Sequence, residues 1–355
     1  MKLRTEILGD ARRVVVKLGT GLLTDGQHAL ASAQIERLVG QFAALHQQKR
    51  QVIVVSSGAI GAGMPGLGLK QRPKKLDELQ AAAAVGQSKL MAAYDEVFGK
   101  FGIHVAQILL THDDLRSRTR HLNARNTLET LLAHGVVPII NENDTVSVDE
   151  IKFGDNDRLA ALTATLIDAD LLVILSHVEG LLEGIGGKVI ASVSEITKDI
   201  ETMAGGTDRE TSVGGMKSKI EAARIVMRAG IPMIIASGER DQVLTDALAG
   251  KEIGTIFLPH EGRLASRKRW IAFFQRPAGV LRVDDGARQA LCDDDKSLLA
   301  KGVVAMEGEF EAEDVVSIRD KNDVEFARGL AKVSHGELET AAAGVVVHRD
   351  DLVIL

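Results

Sequence analysis

Val14-Val15-Val16-Lys17-Leu18-Gly19-Thr20-Gly21 passes from an unbroken β-branched run straight into a glycine turn, with a lysine at the junction. A strand with no polar alternation reads as buried on both faces, the habit of parallel strands covered by helices. The glycines free backbone N–H groups to face phosphate oxygens, and the lysine adds a compact positive charge. A tight turn with a solvated lysine would have the same sequence. The stretch is not a dinucleotide fingerprint, because the third glycine is missing, and no Gly-Lys-Ser/Thr phosphate loop occurs in the chain.

Working outward, the same apolar run recurs at Val52–Val55, His104–Leu110, Val136–Ile140, Leu171–Leu175 and Met233–Ile235. Between most of these lie helix-like stretches, Ser32–His46, Leu76–Phe98, Asn123–Ala133, Asp157–Ile167 and Gly214–Arg228. The alternation predicts an α/β fold, a parallel-rich sheet sandwiched between helices. In such layers ligands sit beyond the carboxyl ends of the strands, where the glycine turns of this chain fall.

Near Gly262–Trp270 the composition changes. Arg263, Arg267, Lys268 and Arg269 form a basic run, Pro277-Ala278-Gly279 follows, and helices thin out. Short strand-like pieces take over at Val280–Val283, Gly302–Met306, Asp314–Ile318, Val324–Gly329 and Gly344–Val347. The expected division is a large domain over 1–262, a linker over 263–276 and a small β-rich domain over 277–355.

The 355 residues are 45% apolar and 26% charged, ordinary for a globular protein, with a net charge of −6. That balance gives no general pull toward nucleic acid or an anionic membrane. One cysteine, Cys292, excludes an internal disulfide and suits a reducing cytoplasm, the expected location. The N-terminus has no apolar secretion core, and no run approaches the roughly 20 apolar residues of a membrane span. The ten histidines show no zinc spacing, and no resident metal site is expected.

Charged and small polar residues gather at the predicted strand ends. Asn141-Glu142-Asn143-Asp144 is followed by Lys152-Phe153-Gly154-Asp155-Asn156-Asp157, which opens an apolar helix. So many charges between a buried strand and a helix start are costly unless a charged ligand or a metal completes them. Asp155 as a helix cap explains one of these groups only. Ser56-Ser57-Gly58-Ala59-Ile60-Gly61-Ala62-Gly63 allows close backbone approach and offers hydroxyl donors; it is also an ordinary Gly-rich helix start. Gly214-Gly215-Met216-Lys217-Ser218-Lys219 opens a helix with lysines, a placement the helix dipole disfavours unless an anion is bound. Of the two lysines, Lys217 reads as the solvated one. Lys70-Gln71-Arg72-Pro73-Lys74-Lys75 suits a solvated loop or a lid over the Ser57 turn, while Tyr94 and Trp270 read as packing residues.

Taken in order, Lys17-Leu18-Gly19-Thr20, Ser56-Ser57-Gly58-Ala59, Asn141-Glu142-Asn143-Asp144, Gly154-Asp155-Asn156-Asp157 and Gly214-Gly215-Met216-x-x-Lys219 resemble the amino-acid kinase family. Leu122-Asn123-Ala124-Arg125, Arg267-Lys268-Arg269-Trp270-Ile271 and a tail ending in Val347-His348-Arg349-Asp350-Asp351, similar to a PUA domain, extend the likeness over nearly the whole chain. Within the family it points to the members that phosphorylate glutamate. The resemblance implies the amino-acid kinase fold and transfer from ATP, with Mg²⁺, to the side-chain carboxylate of L-glutamate. By resemblance, Lys17 and Lys219 neutralise the phosphoryl group in flight, and Asp157 organises them. Ser57, Asp144 and Asn156 match glutamate-binding positions. Lys17, Gly19, Ser176, His177 and the loop Val213, Gly214, Gly215, Met216, Lys217, Ser218 and Lys219 match nucleotide-binding ones. Feedback inhibition by proline and a dimer or tetramer are implied as well.

One departure stands out. After the strand Leu171–Leu175 the family's Thr-Asp appears as Ser176-His177, and Gly180-Leu181-Leu182-Glu183-Gly184 lacks the family's Tyr-Thr-x-Asp-Pro continuation. Histidine cannot accept hydrogen bonds as a carboxylate does. An alternative is therefore an amino-acid-binding regulator with impaired nucleotide binding. RNA binding through the tail is another, but residues 277–355 carry 9 Lys/Arg against 17 Asp/Glu and only Phe310 and Phe326 for stacking. That net of −8 argues against it.

Overall fold

The first valine run becomes the centre of an eight-stranded sheet. In the computed structural model the described residues are 2–24, 30–147, 156–184, 186–205, 215–260, 266–340 and 344–355. In chain order the first eight strands are β1 (Arg13–Leu18), β2 (Gln51–Ser56), β3 (Val105–Leu110), β4 (Val137–Glu142), β5 (Leu171–Ser176), β6 (Ser192–Val193), β7 (Met233–Ser237) and β8 (Thr255–Phe257). They lie in the order β3-β4-β2-β1-β5-β7-β8-β6. The first six positions in that order are mutually parallel, as their apolar runs demand. β8 pairs antiparallel to β7, and the two-residue β6 pairs parallel to β8, so one margin of the sheet is mixed. Neither short strand has an apolar run long enough to show in the sequence.

Alternation along β1 decides what each face carries. Val14, Val16 and Leu18 join a core with Val39 and Phe42 of the helix Ser32–Gln47 and Leu90 and Phe98 of the helix Leu76–Gly99. Val15 and Lys17 belong to the other face, where the helix Asn156–Leu166 packs on β1 and the helix Met216–Arg228 packs on Asn156–Leu166. A lysine in phase with a buried valine is thereby directed at the start of a helix.

Strand ends coincide as well. Leu18 pairs with Ser56 on one side and Leu175 on the other, and Leu110 with Glu142. The loops after β1, β2, β4 and β5 consequently leave the sheet at one edge.

Two compact units divide the chain, residues 1–262 and 263–355. In the second, β9 (Gly279–Val283), β10 (Leu298–Leu299), β11 (Val303–Glu307), β12 (Val315–Arg319), β13 (Glu325–Ala331) and β14 (Val345–Ile354) form a sheet ordered β10-β14-β13-β12-β9-β11. All neighbours are antiparallel except β12 and β9. Leu281, Val316, Ile318, Phe326 and Val347 centre its core. The segment 263–276, read from sequence as a linker, includes Trp270–Phe274, which is buried and packs on β13 and β14. Arg328 of β13 donates to the carbonyl oxygens of Ala272 at 2.9 Å and Gln275 at 3.2 Å. Among the described residues no helix is long and apolar enough to cross a membrane.

Candidate active site

Asp157 sits in the first turn of the helix Asn156–Leu166 and is fully buried. Lys17 Nζ lies 2.7 Å from its Oδ1, and Lys219 Nζ lies 2.9 Å from its Oδ2. Ser218 Oγ donates to Oδ2 at 3.1 Å and to the carbonyl oxygen of Gly215 at 2.8 Å. Burial pushes the Asp157 carboxyl up, but the two ammonium groups outweigh it and hold the carboxyl down to about 2. Two ammonium groups thus share this one buried carboxylate at the strand ends.

Lys219 is only 4% exposed although it belongs to the first turn of its helix. A lysine at a helix start, disfavoured by the dipole, is held there by Asp157. Lys217, two residues earlier, is exposed, and Met216 is half-buried. Gly215 is the N-cap in extended conformation. Val213 and Gly214 lie outside the described residues, as do Lys152 to Asp155 with the candidate cap.

Asn156, next to Asp157, faces a second group. Its Nδ2 donates to the carbonyl oxygen of Ser56 at 2.6 Å, to Asn141 Oδ1 at 2.8 Å and, at 3.3 Å, to Ser57 Oγ. Asn141 Nδ2 in turn donates to Gln87 Oε1 at 2.9 Å. Ser57, Asn141, Asn156 and Gln87 are all buried. A pocket beside this chain of amides is lined by Ser57, Asn156 and Asp144 together with Thr20, Arg72 and Glu142. The two groups are one residue apart at Asn156-Asp157, so the pocket and the lysine pair adjoin.

The Ser57 turn is held by close backbone packing. Gly58 has φ +95 and caps the helix Ala59–Gly63, which crosses the helix Leu76–Gly99. A Cβ on Gly63 would lie 1.8 Å from the carbonyl oxygen of Ala82, and one on Gly86 would lie 1.7 Å from that of Ala59. No side chain larger than hydrogen fits at either crossing point. The Gly-rich helix start is thus real, and it exists to bring two backbones together below the pocket.

At the neighbouring strand ends, the Gly19 N–H donates to the Leu175 carbonyl oxygen at 3.2 Å, which sets Gly19 against the end of β5. Ser176 is buried, its carbonyl oxygen accepting from the Gly238 N–H at 2.7 Å, while His177 is exposed. Past the departure from the family pattern, the buried Leu181 donates its N–H to Thr255 Oγ1 at 2.8 Å, closing a short excursion.

Three contributors escaped the sequence reading. Asn141 stood within a quoted motif but without a role. Gly86-Gln87 interrupts an alanine-rich helix, which was the available signal. Arg72 was absorbed in a basic run that suited a solvated loop or a lid, yet it lines the pocket. Tyr94 is a packing residue that also bonds, its hydroxyl 3.0 Å from Ser56 Oγ.

A family model described as the amino acid kinase family matches residues 12–237. The chain belongs to the amino acid kinase family. The model of the PUA domain matches residues 279–352, so the strand-rich second unit carries that domain behind the kinase-family one. Named relatives agree along nearly the full length. Proteins named glutamate 5-kinase from Geobacter metallireducens and Geobacter sulfurreducens are 47% and 45% identical over 373 residues, covering 99% of this chain and 100% of theirs. One of the same name from Moorella thermoacetica is 46% identical over 368 residues, covering 98% of this chain and 97% of its own. Family membership makes this a kinase, with ATP use implied by its kinase relatives.

Proposed function

We propose that the protein transfers the γ-phosphoryl group of ATP to the side-chain carboxylate of L-glutamate, giving ADP and L-glutamyl 5-phosphate, the first step of proline biosynthesis. The observation that carries this reading is the single carboxylate of Asp157, which holds Lys17 and Lys219 beside the Ser57–Asn156–Asp144 pocket. Full-length identity of 43–47% to proteins named glutamate 5-kinase supports the choice of substrate.

The chemistry asks for this set. Glutamate's side-chain carboxylate is ionised at neutral pH, so the attack needs no general base. Repulsion between that carboxylate and the phosphates is the obstacle, and positioning with electrostatic stabilisation is the remedy. Lys17 and Lys219 provide positive charge along the transfer path, and Asp157 fixes their spacing. Asp144 meets the substrate's ammonium, while the Ser57 hydroxyl and Asn156 orient its chain. Gly19, Ser176, His177 and Gly215 to Lys219 serve the nucleotide side. Val213 and Gly214 join them in this reading. Among the described residues no group of three His, Cys, Asp or Glu is arranged to hold a metal ion. Mg²⁺ enters with the nucleotide, bound to its phosphates, as part of the substrate.

Family membership also supports proline as a feedback ligand, a dimer or tetramer, and action in the cytoplasm, where ATP and glutamate are available. The acidic tail does not support a nucleic-acid partner. Purified protein with L-glutamate, ATP and Mg²⁺ should release ADP, and hydroxylamine should trap the acyl phosphate as a hydroxamate. Absence of glutamate-dependent ADP release at millimolar substrate would overturn the reading.

A further inference from the structure

Beside the amide chain, Asp144, Glu142 and Thr20, the pocket is lined by one cation, Arg72, and the reading above gives it no role. Arg72 lines the same pocket as Ser57, Asn156 and Asp144. Among the described residues it makes no hydrogen bond or ion pair, although Asp144 acts electrostatically on its guanidinium. A guanidinium and a carboxylate that share a pocket without closing on each other leave room for a ligand carrying both charges. The free end of an amino acid, an ammonium next to a carboxylate, is such a ligand, and a guanidinium is the side chain best shaped to grip a carboxylate with two parallel hydrogen bonds.

Resting on the glutamate-kinase reading, we propose that Arg72 is a specificity-determining residue that binds the α-carboxylate of the amino-acid substrate opposite Asp144. The assignment resolves an ambiguity of the substrate, which has two carboxylates. One must lie against Lys17 and Lys219 to be phosphorylated, and the other must be held away from them. With Asp144 taking the ammonium and Arg72 the α-carboxylate, only the side-chain carboxylate is left for the lysines. Arg72 is exposed and precedes Pro73, which restrains the backbone that presents it. Its removal therefore disturbs little packing.

The test compares L-glutamate with L-isoglutamine, whose α-carboxylate is replaced by a carboxamide while the side-chain carboxylate is retained. Hydroxamate formation is measured for the wild type, Arg72→Ala and Arg72→Lys, with thermal melting as the fold control. Wild-type turnover of glutamate decides the underlying reading; its absence overturns both claims. Given that turnover, Arg72→Ala should lower kcat/KM for glutamate on the order of 100-fold, mainly through KM, and change that for isoglutamine less than about threefold. Arg72→Lys should recover part of the loss. A glutamate kcat/KM within threefold of wild type, or an equal fall for both substrates, would overturn the role of Arg72 and leave the kinase reading intact.

Discussion

Lys17, at the end of the first strand, and Lys219, in the first turn of a helix late in the same unit, are held by the two oxygens of one carboxylate, at 2.7 Å and 2.9 Å from Asp157. Each of the three is at most 5% exposed, so the charges act on one another with little solvent between them. In the proposed reaction, that arrangement sets where the migrating phosphoryl group is neutralised.

Replacing the organiser should be costly twice over. Asp157→Asn leaves two buried ammonium groups without their counter-charge, which destabilises by about 3 kcal/mol or more and lets the lysines drift. The expected kcat falls on the order of 1000-fold. Steady-state kinetics with chemical denaturation checks both, and a stable variant with near-normal kcat would refute the organising role.

The depressed carboxyl also predicts an acid limb. The Asp157 pKa is about 2 in the folded protein against an ordinary 3.8. Its stabilisation is therefore complete above pH 4 and is lost as pH falls from about 4 towards 2, because the unfolded chain binds the proton first. Denaturant titrations across that window should show wild-type stability falling more steeply than that of Asp157→Asn, by a difference on the order of 2 kcal/mol.

Backbone contact at the helix crossing gives a third expectation. Gly86→Ala would set a methyl 1.7 Å from the Ala59 carbonyl oxygen, so the helices must separate. A loss of about 3 kcal/mol is expected, along with a raised KM for glutamate as the Ser57 turn shifts. An unchanged melting temperature would mean that the crossing relaxes freely.

Gln87 should act through its neighbours. Gln87→Leu removes the acceptor for Asn141 Nδ2 and leaves a buried amide unsatisfied, at about 1–3 kcal/mol. Because Asn141 orients Asn156, KM for glutamate should rise roughly 10-fold with kcat less affected. Equal effects on the KM values for ATP and glutamate would argue for general unfolding instead.

The nucleotide side offers a gain-of-affinity test. His177 is exposed just after β5, where the family resemblance sets an aspartate. His177→Asp should lower KM for ATP, by roughly 3- to 10-fold if the new carboxylate accepts one hydrogen bond from the nucleoside. An unchanged or higher KM would show that Ser176-His177 is a working alternative.

Much of this molecule is written locally. Val14–Val16, Val52–Val55, His104–Leu110, Val136–Ile140, Leu171–Leu175 and Met233–Ile235 each became a strand of the parallel part of the sheet. Burial on both faces demands an apolar run, and an apolar run survives as a signal in one dimension. Lys17 and Lys219 also stand out locally, as lysines at a glycine turn and a helix start, while Asp157 was singled out by the family resemblance.

Which charges meet is another matter. Nothing in the order of residues says that Gly86 must pass within touching distance of Ala59, that Gln87 orients Asn156 through Asn141, or that Arg72 shares a pocket with Asp144. Nor does it say that β8 turns antiparallel. These depend on helix crossings and strand order, set by the packing of whole elements rather than by any segment's own preference. Chain composition determined the parts and their chemistry; distance, the quantity that makes two lysines and an aspartate one site, came only with the tertiary fold.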